Sequence, residues 1–174
     1  MPNVNYPHGL NSLGRTLAGG LPTVESFQKA ASFCTALFIG DAIARAADGT
    51  INTTITPGTT LYSGVNLNWG AASTLTDHLV VTSPDALFEA QDNDASTGTL
   101  AADVGLNANL VLTAGDSLTL LSKHQVNQST LATTSTLDVK ILRKYDIPNN
   151  DYGPNARLEI IFNKHRMHPA VAGV

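Results

Sequence analysis

The chain holds a single cysteine, Cys34. One thiol excludes an intrachain disulfide and fits folding under reducing conditions, with a buried free thiol expected at that position. No apolar stretch approaches the roughly 18 residues a membrane-spanning helix needs. The opening MPNVNYPHGL lacks the basic segment followed by an apolar run that marks an export signal. A soluble protein without a visible export signal is the expectation, with no membrane partner. Aromatic residues make up only 6% of the chain and the net charge is -4. That balance supplies neither a phosphate-neutralising patch nor a stacking platform, so nucleic acid is disfavoured as a partner. Lys and Arg are missing altogether between Arg45 and Lys123, a region that carries Asp48, Asp77, Asp85, Glu89, Asp92, Asp94, Asp103 and Asp116. From Lys123 to Arg166 the balance reverses. Such segregation predicts either two solvated faces of opposite sign or copies that meet head to tail.

What is present is a pattern of short apolar or alternating runs broken by Gly, Asn, Asp and Ser. At 174 residues this suits one all-β domain, a β-sandwich or barrel of jelly-roll-like type, large enough to bury about two-thirds of its unfolded surface. Residues 1–24 carry Pro2, Pro7, Gly9, Gly14, Gly19, Gly20 and Pro22 without sustained periodicity, which predicts an extended N-terminal arm. In TVESFQKAASFC, the spacing of Val24, Phe27, Ala30, Ala31 and Cys34 predicts one short helix capped by Thr23. The β-rich body spans 25–166 and a C-terminal tail 167–174. NLVLTAGDSLTLLS reads as two strands joined by a tight turn at Ala114–Asp116. LDVKIL and ARLEIIF bring Leu137, Val139, Ile141 and Leu158, Ile160, Phe162 to one face each and form the clearest hairpin-like pair.

Several stretches imitate functional motifs. GLNSLGRT, residues 9–16, has the glycine spacing of a phosphate-binding loop but Arg15 where lysine is required, and no strand can precede it. Asp92, Asp94, Ser96 and Asp103 occupy positions one, three, five and twelve of a calcium loop. Gly98 falls one place late, however, and no amphipathic helices flank the segment. An ordinary Asp- and Ser-rich surface loop is the reading preferred, with calcium the minor alternative. His165 and His168 share a side only on a helix, and no further ligands complete a metal site. Neither His78 nor His124 lies in a nucleophile-elbow context that would give a triad with Ser and Asp meaning. The residues therefore predict no enzyme, no cofactor and no metal centre.

Taken in order, NYPHGLNSLGRTLAGG, ALFIGDAI, DHLVVTSPDALFEAQ and LDVKILRKYDIPNNDYGPNARLEIIFNKHR resemble the capsid decoration, or cement, proteins of tailed bacteriophages. The resemblance implies a small β-rich structural subunit, made in the host cytoplasm and carried on the outer surface of the virion head. There it would clamp neighbouring major capsid proteins, as a homotrimer. It makes Asn5, Tyr6, Pro7, His8, Gly9, Leu10, Gly14 and Arg15 the matching positions of a capsid-binding arm. A Gly- and Pro-rich arm buries little on its own and would order against a partner. Deleting residues 1–20 is then expected to abolish attachment and leave the body folded. The alternative of another class is a virion-surface carbohydrate- or host-binding β module, with the Asp92–Asp103 loop as its site. A glycosidase, which needs two carboxylates facing one cleft, ranks behind both.

Overall fold

The computed structural model describes residues 3–167 and 173. Its strands are β1 (Asn11–Thr16), β2 (Val24–Lys29), β3 (Ala42–Arg45), β4 (Ile51–Asn52), β5 (Gly64–Asn66), β6 (Thr76–Val81), β7 (Ala86–Gln91), β8 (Asn107–Val111), β9 (Gln125–Ala132), β10 (Val139–Lys144) and β11 (Arg157–Phe162). They form a six-stranded sheet, ordered β1-β7-β11-β10-β8-β9, and a five-stranded sheet, ordered β2-β6-β5-β3-β4. Every strand pairing is antiparallel. The domain is all-β and sandwich- or barrel-like.

Strand alternation builds the core. Val139 and Ile141 of β10 and Leu158, Ile160 and Phe162 of β11 point inward, as their period-2 spacing requires. They meet Ala42, Val65 and Val81 from the other sheet and Tyr62 just before β5, together with Phe88, Leu110 and Val126. Tyr62 and Phe162 stack with ring centroids 4.8 Å apart, and Phe88 tilts against Phe162 at 5.3 Å. Each such fully buried side chain contributes about 1.5–3 kcal/mol by leaving water. A smaller cluster of Leu37, Ile43, Ile51 and Val80 lies beneath Phe27 and Phe33.

The pairing of β10 with β11 bears out the expected final hairpin. Two local expectations are corrected. Instead of the short helix, Val24–Lys29 forms an edge strand, in register with β6 from Val24↔Val81 to Lys29↔Thr76. Six ladder partners on β6 outweigh a helical spacing over a segment too short to offset the cost of nucleating a helix. The turn at Ala114–Asp116 is not a tight hairpin either. β8 ends at Val111 and β9 begins at Gln125, and the intervening chain folds on Asp116, whose carboxylate accepts the Leu118 and Thr119 amides. Cys34 is exposed, not buried.

The described part of the N-terminal 24 residues is largely extended but lies on the body. Leu10 is 1% exposed and belongs to the main core. Residues 11–16 are β1, the edge strand beside β7, and residues 24 onward edge the other sheet. A single run of chain thus borders both layers. Gly9, at φ +77°, is required by close approach, since a Cβ there would lie 2.4 Å from that of Ser122. Gly14, at φ +65° with open space around it, sits where the β1–β7 register slips between Ser12 and Thr16. This is bulge geometry, and it re-aims the next side chain, Arg15.

Candidate functional site

The outer face of the six-stranded sheet carries the most organised polar arrangement in the protein. Glu89 on β7 and Glu159 on β11 are direct cross-strand partners, and both are buried. Two carboxylates so placed repel one another unless cations separate them. Here each acid has its own pair. Glu89 accepts from Nε of Arg157 at 2.7 Å and from Nε2 of His8 at 2.7 Å. Glu159 accepts from Arg15 Nη2 at 2.7 Å and from Nε and Nη2 of Arg143 at 3.0–3.1 Å. Arg15 reaches from β1 across β7 to β11, which the bulge at Gly14 permits. The Arg157 guanidinium also lies over the Tyr145 ring, 5.7 Å from its centroid.

The other nitrogen of His8, Nδ1, contacts the Tyr6 carbonyl at 2.8 Å. Both ring nitrogens therefore face oxygen acceptors, and the imidazolium satisfies both. Burial alone would lower the His8 pKa, but the hydrogen bond and charge of Glu89, with the Tyr6 carbonyl, carry it above its ordinary value. Glu89 is correspondingly held below the usual carboxylate range, because Arg157 and His8 together outweigh its burial.

Residues 3–8 are strapped across this face by side chains of the body. Gln91 donates to the Val4 carbonyl and accepts the Tyr6 amide. The Asn3 amide donates to the Asp151 and Pro154 carbonyls and accepts the Asp151 amide. Asn150 closes the β10–β11 loop by donating to the carbonyls of Tyr145 and Arg157 and accepting the Arg157 amide. Between strap and loop lies a hollow of about 600 Å³, walled by Tyr6, Leu10, Ile39, Leu121, Ile147 and Arg157. A second hollow of about 350 Å³ is bounded by Arg15, Arg143, Tyr145, Asp146 and Glu159.

Of the residues marked in the sequence, Asn5 and Tyr6 are exposed and Pro7 is half-buried. His8 and Arg15 turn their charged ends onto Glu89 and Glu159, and Leu10 lies inside the core. The acid-rich and base-rich halves of the chain do not form two opposed faces throughout, because Glu89 pairs with Arg157 and Asp116 with Lys123. The calcium-like residues close their own loop. Asp94 accepts from the amides of Ser96, Thr97 and Gly98 and from the Ser96 hydroxyl. Those bonds, Ser96 first, hold its carboxyl far below the ordinary range. Asp92 takes the Asp94 amide and the Thr99 hydroxyl, and Asp103 the Leu100 amide. This is Asx-turn chemistry, and no group of three metal-ligating side chains occurs among the described residues. His168 and most of the tail lie outside the described residues.

His78 and His124 are each held by hydrogen bonds within the body. His78 donates to Asn66 Oδ1 and accepts from the Thr76 hydroxyl. Nδ1 of His124 accepts the Ala42 amide, and its Nε2 lies 3.5 Å from Asp41. Burial pushes Asp41 up to about 6 and His124 down to about 4. Sequence reasoning passed over Glu89, Gln91, Arg143, Arg157 and Glu159. The available signal was an acid set inside apolar runs, ALFEAQ and RLEIIF, where an ionised side chain is buried only with partners. Compared with profiles of protein families, with curated proteins and with solved structures, the chain shows no significant match.

Proposed function

We propose that this chain is a non-enzymatic structural protein of a tailed-phage head, bound to the outer surface of the shell and clamping neighbouring major capsid proteins as a homotrimer. One observation carries the reading beyond the resemblance itself. The four stretches that resemble decoration proteins are far apart in sequence yet supply one surface. NYPHGLNSLGRT forms the strap and β1, and ALFIGDAI contributes Ile39 and Gly40 beneath it. DHLVVTSPDALFEAQ brings Glu89 and Gln91, and the last stretch brings Arg143, Asn150, Arg157 and Glu159. Leu17 and Leu21, next to it along the chain, are exposed, at 62% and 88%. Within a trimer, several modest contacts made together would hold the subunit on the shell.

The contact expected from the arm narrows to Asn5, Tyr6, Pro7 and the exposed part of Arg15, since Leu10 is inside the core and both ring nitrogens of His8 are engaged by Tyr6 and Glu89. Deletion of residues 1–20 would also remove β1, so the discriminating variant lacks only residues 1–6. The full chain is expected to co-sediment with expanded heads, and the shortened one to stay folded but bind them at least tenfold more weakly. A full chain that is monomeric and ignores heads overturns the reading. Undiminished binding by the shortened chain removes the arm from it.

A further inference from the structure

The ion pairs on the outer face are incomplete in one direction. Three arginines, Arg15, Arg143 and Arg157, together with the His8 imidazole, surround Glu89 and Glu159 on a chain of net charge -4. The buried acids engage only part of each guanidinium. Arg15 uses Nη2 and leaves Nε and Nη1. Arg143 uses Nε and Nη2 and leaves Nη1. Arg157 uses Nε and leaves both Nη groups. Glu89 and Glu159 thus fix the orientation of three forks whose remaining N–H groups have no hydrogen-bond acceptor among the described residues. The entropy of holding a long arginine still is already met in the free subunit, which is what preorganised recognition of an oxyanion requires.

We propose that this face captures an acidic segment of a partner protein, its carboxylates seated on Arg15 and Arg143. Each guanidinium keeps N–H donors for a charge-assisted hydrogen bond to an incoming carboxylate. A protein segment fits better than a nucleic acid for two reasons. Asp146 borders the same hollow, so a continuous phosphate backbone would be carried past it, whereas a peptide can place single carboxylates on the arginines and uncharged residues beside Asp146. The neighbouring hollow, reached along β11 from Glu159 to Arg157, is walled by Leu10, Ile39, Leu121 and Ile147, which suits an apolar side chain next to the acid. That the partner is a capsid subunit rests on the function proposed above; the carboxylate chemistry does not.

The test uses the full chain, a fluorescent octaglutamate peptide and an oligodeoxythymidylate of equal charge, each titrated at low and at physiological salt. Arg143→Gln and Arg15→Gln are the informative variants, because in either one Glu159 keeps its other arginine; removing Arg157 would strip Glu89 and threaten the fold. The peptide is expected to bind, more weakly as salt rises, and each variant to weaken it about tenfold, the loss of one charge-assisted contact. Lys123→Gln, a cation paired with Asp116 outside this face, should change nothing. Equal peptide binding by all variants, no peptide binding, or tighter binding of the oligonucleotide overturns the proposal. If heads bind and the peptide does not, the proposal fails alone. If the peptide binds through these arginines and heads do not, the capsid reading fails and the proposal stands.

Discussion

Glu89 and Asp41 are both buried carboxylates beside a histidine, yet the protein drives them in opposite directions. Glu89 is kept ionised below its usual pKa, and its histidine is raised; Asp41 is pushed up to about 6 and its histidine down to about 4. Burial opposes charge in both places. The difference is the company. Glu89 receives a guanidinium and an imidazolium whose second nitrogen has a carbonyl to bond. His124 instead has its Nδ1 occupied as an acceptor by the Ala42 amide and sits at a long 3.5 Å from Asp41, with no arginine near. Desolvation then has nothing to oppose it at His124. A histidine beside an acid is an ion pair only where both ring nitrogens can donate.

The most severe way to break this contrast is Glu89→Ala. It removes the acceptor of Arg157 and of the strap at once and is expected to lower stability by about 2–3 kcal/mol. That is below the usual cost of breaking a buried pair because Arg157 keeps access to water. Urea unfolding would measure it, and a loss under about 1 kcal/mol would show that the strap does not depend on this pair.

Next in size is the pH response. Asp41, raised, contributes stability present below about 3.8 and lost as pH climbs through about 6; His124, lowered, contributes stability present above about 6.5 and lost as pH falls through about 4. The other pair behaves in the opposite sense. Glu89 stabilises above about 4.5 and loses that contribution in acid. His8 stabilises below about 6.5 and loses its contribution as pH rises through its raised pKa. Between about pH 4 and 6 Asp41 and His124 change in opposite senses and offset one another. The unfolding midpoint should therefore hold nearly level from about pH 4.5 to 6.5 and fall on the acid side with Glu89 and on the alkaline side with His8. Asp41→Asn keeps an acceptor for the Phe38 amide and cannot ionise, so it should gain about 1–2 kcal/mol relative to the parent between pH 4 and 8. A stability difference independent of pH would show that Asp41 titrates normally.

The smallest expected effect sharpens the comparison from outside, at an exposed carboxylate. Asp94→Ala should leave the global midpoint nearly unchanged and speed amide exchange only at Ser96, Thr97 and Gly98, whose N–H groups lose their acceptor. Calcium that protected those amides in the parent chain would restore the metal reading of the loop.

Much of the fold was legible because alternation is a local property. The inward residues Val139, Ile141 and Leu158, Ile160, Phe162 follow directly from spacing, as does the final hairpin, whereas Leu137, assigned to the same face, lies before β10 and is half-buried. VESFQK was not, because six residues are too few for period 2 to be told from period 3.6, and the choice fell to β6. The candidate face was legible only in part. His8 and Arg15 were marked, but their partners Glu89 and Glu159 lie 81 and 144 residues away, and no local pattern encodes a contact at that separation.

What the sequence determined by itself is therefore the all-β class, the lack of an intrachain disulfide, and the surplus of basic residues in the last third of the chain. These follow from residue type and near-neighbour spacing alone. Only the tertiary structure decided that GLNSLGRT is a bulged edge strand, that the segment before it is strapped down by Gln91 and Asn3, and that three arginines point partly used forks outward. Those outcomes depend on which strands become neighbours. Strand order is set by burial of the whole core, to which each local segment contributes only a share.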